Sequence, residues 1–300
     1  MSATELRPAS MATSPELTTS STPHIETRTP VHATLTPSAP VTSGRAEISV
    51  SPAELDRIRP QRFSTLVRVE FRKMTDTRSG KVLIAAIFAV ALLILGWKLI
   101  HTGSIEPGFE NYLEGMQAGV GFVLPVVGLL AMTSEWTQRT ALTTFTMSPR
   151  RLRVIAAKFV SALGLSLAVL ITTIGLTAAA TWLGGVIGGH GASFAGAGSV
   201  LRPTIVASMA QVVMAAAFGA LIPVTAVAIA CFLAFPAIWA SVGPTVLKDS
   251  SSWFDIFGAY DRLGSAHPWT QLSHTLTSVV VWVALPLAIG VYRTMRREVK

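Results

Sequence analysis

Val82–Ile100, VLIAAIFAVALLILGWKLI, is the stretch whose reading decides the fold. It is an unbroken apolar run with one charge, Lys98, at its far end beside Trp97. At 1.5 Å rise per residue it covers roughly 28 Å, the thickness of bilayer hydrocarbon. Lys98 stands where its stem can carry the ammonium to the interface. Five further apolar segments follow, at about Met116–Thr133, Phe159–Leu183, Ile205–Ile222, Val224–Val242 and Leu276–Tyr292. Pro223 alone separates the fourth and fifth, which leaves a tight hairpin and one long broken helix both open. Composition agrees: half of the residues are hydrophobic, 13% are charged and mean hydropathy is +0.53. A soluble domain carries roughly a quarter charged residues and needs a polar skin. The expected fold class is therefore all-α, a multi-pass membrane protein with six transmembrane helices over residues 81–300.

The segments before the first span differ in kind. Residues 1–60 are rich in Ser, Thr and Pro and nearly devoid of aromatics, the composition of a disordered tail. They contain no apolar core of a secretory signal. Residues 61–80 read as a cytoplasmic amphipathic helix. Phe63, Leu66, Val67, Phe71 and Met74 fall at helical spacing, with Arg62, Arg68, Arg72 and Lys73 on the rest of the turn. Such a basic helix suits the headgroup region of an anionic leaflet, although Glu70 interrupts its apolar side.

Orientation follows from Lys and Arg. Arg62, Arg68, Arg72, Lys73, Arg78 and Lys81 precede the first span. Arg139, Arg150, Arg151, Arg153 and Lys158 fall between the second and third, and Arg293, Arg296, Arg297 and Lys300 close the chain. The intervening connections are poor in basic residues, and His101–Gly115 has Glu106, Glu110 and Glu114 instead. The positive-inside rule places both termini and the Ser134–Lys158 loop in the cytoplasm of a cell-membrane protein, which requires an even number of spans. The net charge of +8 is accounted for by this bias, with no stripe that would suit nucleic acid.

Enzymatic and metal chemistry find little support. Cys231 is the only cysteine, so there is no intrachain disulfide or CxxC pair. His190 and Ser193 share a Gly-rich connection, and His267 and His274 another, without metal-ligand spacing. Arg78-Ser79-Gly80-Lys81 resembles the end of a phosphate-binding loop, but Thr75 and Val82 stand where that loop needs Gly and Ser or Thr. Any ATP that drives this protein binds another chain. No Asp or Glu lies near the middle of a span, which argues against an ion-coupled carrier; Gln117 and Gln211 read as helix–helix partners.

The loop between the second and third spans carries the most specific pattern: Glu135, Arg139-Thr140, Pro149, Arg150-Arg151 and then Lys158. With Val69–Gly80 before the first span, it resembles the permeases of type-2 ATP-binding-cassette exporters over roughly Arg62–Lys300. Arg139 departs from the glycine usual there. The resemblance implies a non-enzymatic permease half with no cofactor of its own, in a homo- or heterodimer with ATP-binding subunits. It implies a coupling helix at about Glu135–Met147, capped or anchored by Glu135. It also implies that Glu135, Arg139, Thr140, Pro149, Arg150, Arg151 and Lys158 serve the ATPase partner. A re-entrant element over Trp253–Leu263 and a plain outer loop are both compatible with the sequence. The absence of a charged pocket favours amphipathic or hydrophobic cargo. The alternatives are a non-transporting anchor or sensor subunit, and a self-powered carrier.

Overall fold

The computed structural model describes residues 62–101, 108–137, 151–189 and 191–296. The N-terminal tail, Arg139, Thr140, Pro149 and Arg150 lie outside the described residues. What is described is mostly helical, and six of its helical segments are long and apolar enough to cross a membrane. The fold is that of a multi-pass membrane protein.

Helix α1 (Phe63–Asp76) stops at Thr77, whose extended backbone separates it from α2 (Arg78–Ile100). The Thr77 hydroxyl caps α2 by accepting from the Gly80 amide at 3.2 Å. The turn is so tight that a Cβ at position 80 would fall on the Met74 carbonyl oxygen. The stretch that imitates a phosphate loop is thus a helix start shaped by close approach.

The second span is α3 (Phe109–Val123) and α4 (Pro125–Thr137), divided where Pro125 lacks an amide to donate. The third, α5 (Arg151–Ile187), would run about 55 Å at helical rise, well beyond a bilayer's hydrocarbon. Its first turns are therefore free to pack against α1. Next come α6 (Ala197–Leu221) and α7 (Thr225–Leu247), joined by extended backbone at Ile222 and Val224. They form a tight hairpin: Phe218 of α6 meets Phe232 of α7 edge-on, with ring centroids 6.3 Å apart. The alternative of one long broken helix is excluded.

After α7 the chain folds back. A 3-10 turn (Lys248–Trp253) leads to α8 (Ile256–Gly264), then α9 (Leu272–Val279), a π turn (Val280–Ala284) and α10 (Leu285–Arg296). The Phe254 ring lies 5.6 Å from that of Trp239, about two turns back down α7. Tyr260 is buried with its hydroxyl 3.0 Å from the Met214 sulfur of α6. Residues 248–264 thus return into the bundle, as a re-entrant element does and a plain loop does not. The π turn sits where Pro286 cannot donate to the Trp282 carbonyl.

The core is continuous through α6. Ile87 and Ala91 of α2, Met116 and Val120 of α3, Leu165 and Val169 of α5 and Val212 of α6 form one cluster. Leu129, Phe218, Ala228, Ile256 and Tyr260 form the next. Helices α4 and α6 approach closely because small residues face backbone: a Cβ on Gly128 would lie 2.4 Å from the Val212 oxygen, and one on Gly219 2.7 Å from that of Leu129. Outside, large apolar side chains such as Leu93, Trp182 and Ile238 are exposed, the surface a bilayer covers.

Candidate functional site

Four charged side chains from three helices close a ring at one end of the bundle. Glu70 and Lys73 are three residues apart on α1 and share a face. Glu135 lies in the last turn of α4, and Lys158 in the third turn of α5. Lys158 Nζ is 2.6 Å from Glu70 Oε2 and 2.9 Å from Glu135 Oε1. Lys73 Nζ is 3.0 Å from Glu70 Oε1 and 3.2 Å from Glu135 Oε1. Charges alternate around the ring, and each ion has two counter-ions.

Three corners are dry. Glu70, Glu135 and Lys158 are 4–6% exposed and are the buried charged residues among those described, whereas the Lys73 side chain is 44% exposed. Desolvation opposes the charge on Lys73, but hydrogen bonds and attraction from Glu70 and Glu135 outweigh it and hold the ammonium above its ordinary pKa. A buried ion left without its partner costs several kcal/mol, roughly 3–5 in measured cases. The ring avoids that cost by giving every ion a second partner. Ser161 adds a neutral tie, its hydroxyl donating to the Val67 carbonyl of α1 at 2.9 Å.

The structure brings together Lys73, Glu135 and Lys158 from the sequence-derived set and adds Glu70. The side of α1 that bears Val67, Glu70 and Met74 turns toward the bundle, so the carboxylate that interrupts the apolar pattern is its protein-facing anchor. Phe63 and Phe71 remain exposed, Leu66 and Val67 are half-buried, and Arg72 pairs with Asp76 at 3.4 Å in the open. A polar residue on the apolar side of an amphipathic helix was the available signal for Glu70.

Glu135 stands in the last turn of α4 and pairs with Lys73 and Lys158; the rest of the coupling helix it was expected to cap or anchor lies outside the described residues. The Arg151 guanidinium donates to the Thr294 carbonyl in the last turn of α10 at 2.9 Å. A cation there complements the exposed carbonyls of a helix C-terminus. Arg293 does the same for α6, donating to the Leu221 carbonyl at 3.5 Å. Residues 138–150 are thus bracketed by two anchors, Glu135 to α1 and α5, and Arg151 to α10. At the other end Lys98 turns onto α3, donating to the Asn111 carbonyl at 2.8 Å.

No protein-family model, curated protein or solved structure matches this chain.

Proposed function

We propose that this chain is the permease subunit of an ATP-binding-cassette exporter, driven by ATP hydrolysed on a separate subunit that docks on residues 138–150. The observation that carries this reading is the ionic ring at the base of the α4–α5 hairpin. Buried ion pairs add little stability over apolar packing, and their best-attested use is to fix register or to switch. Here they join α1, α4 and α5 at the ends of α4 and α5 that flank residues 138–150.

The reading is supported by the gathering of basic residues at the ring's end: Arg72, Arg78 and Lys81, then Arg151 and Arg153, then Arg293 and Arg296. That bias makes this end cytoplasmic, with both termini on the same side. A self-powered carrier is disfavoured because the buried charges among the described residues all belong to the ring, none to mid-span. ATP-driven closure of the partner would favour one arrangement of α4 and α5 through contacts made only in that arrangement. The permease works as a dimer.

The test is purification from native membranes in mild detergent, with mass spectrometry of what stays bound and an ATPase assay. A retained ATP-binding subunit, whose activity falls on Glu135→Ala, is the expected result. A chain that comes out alone under several detergents sinks the exporter and favours the anchor or sensor reading.

A further inference from the structure

Resting on that reading, we infer that α1 is the pivot of the coupling machinery and that Glu70 is its positioning residue. The ring's topology carries the inference. Its Glu135–Lys158 edge joins α4 to α5, and a small recess lined by Ile155, Ala220 and Thr294 adjoins that edge. Opening this edge leaves Glu135 on Lys73 and Lys158 on Glu70, so no buried ion is stranded. Both surviving pairs are held by α1. Helices α4 and α5 can therefore separate at their base while each stays tied to α1.

Glu70 carries more of this than Lys73. Its two oxygens bind different lysines, Oε1 to Lys73 and Oε2 to Lys158, and it is the buried anion on α1. Without it, opening the Glu135–Lys158 edge would leave the Lys158 ammonium alone in a dry site, a state the protein would avoid. Glu70 thus sets which edge opens, with no contact to nucleotide or cargo.

Pulsed spin-label distances between Arg68→Cys on α1 and Leu152→Cys at the base of α5 test this, in the full chain with Cys231→Ser, in lipid nanodiscs. Both labelled positions are exposed. The wild-type ring should give one narrow distribution, the same without nucleotide and after vanadate trapping with a retained ATP-binding subunit. Glu70→Gln should broaden it, and Glu70→Gln/Lys158→Gln, which leaves a neutral pair beside Lys73–Glu135, should narrow it again. Glu70→Asp keeps the charge but shortens its reach, and gives intermediate broadening should Glu70→Gln not fold. Unchanged distributions in the Glu70 variants overturn the inference, as does a wild-type distance that changes on trapping. The nucleotide-free arm needs no partner, so loss of the exporter reading and loss of this one are told apart.

Discussion

The two ends of this molecule are built from opposite chemistry. At one end, α1, α4 and α5 meet through four charges, three of them buried. At the other, the returning 248–264 segment is held largely by neutral bonds. Trp282 Nε1 donates to the Phe254 carbonyl at 2.7 Å, and the Ser278 hydroxyl reaches the carbonyls of Trp253 and Asp255 at 3.0 and 3.1 Å. A neutral bond to a part-buried carbonyl favours one geometry, because the carbonyl loses its partner when the helix moves. A ring of alternating charges tolerates the loss of one edge. One end is thus held by neutral bonds, the other by charges that each have two partners.

Substitutions can break this contrast. The largest effect is expected from Lys158→Met, which leaves two buried carboxylates with only Lys73: about 3–5 kcal/mol of stability, read as a drop in thermal midpoint in nanodiscs. A smaller loss, about 1–3 kcal/mol, should follow Gly219→Ala, whose methyl would press on the Leu129 carbonyl. This change strikes the α4–α6 contact, close to the recess beside the ring. Trp282→Phe, which removes one donor at the fold-back end, should cost about 1–2 kcal/mol and leave the ring's distances unaltered. A loosened ring in that variant would dissolve the distinction between the ends.

How much of this was legible in the sequence divides along the same line. The spans were, because twenty or so apolar residues have few other uses. So was Glu135–Lys158 as a place of interest, from their position around a basic loop. The ring itself was not, since Glu70 lies far from both in the chain and only the approach of α1 to α5 brings them together. The bond of Arg151 to the end of α10 was not legible either, because spacing cannot show which helix end lies beside it. The return of residues 248–264 was likewise undecidable until Phe254 was seen against Trp239.

The smallest effects sharpen the account. Arg72→Ala removes an exposed pair with Asp76 and should shift stability by less than about 0.5 kcal/mol. Alkaline titration should show a modest ring signature. The Lys73 pKa is raised in the fold, so its contribution is fully present below its ordinary value of 10.5 and is lost as pH rises through the elevated one. The alkaline loss should be absent in Lys73→Met, as read by thermal midpoint against pH.

The measurement that bears most directly on the central claim is site-specific photocrosslinking from Thr144, in the loop between Glu135 and Arg151, in native membranes. The expected result is an adduct with a soluble ATP-binding protein that disappears when Glu135 is replaced by Ala. Adducts with lipid or with this chain alone would contradict it.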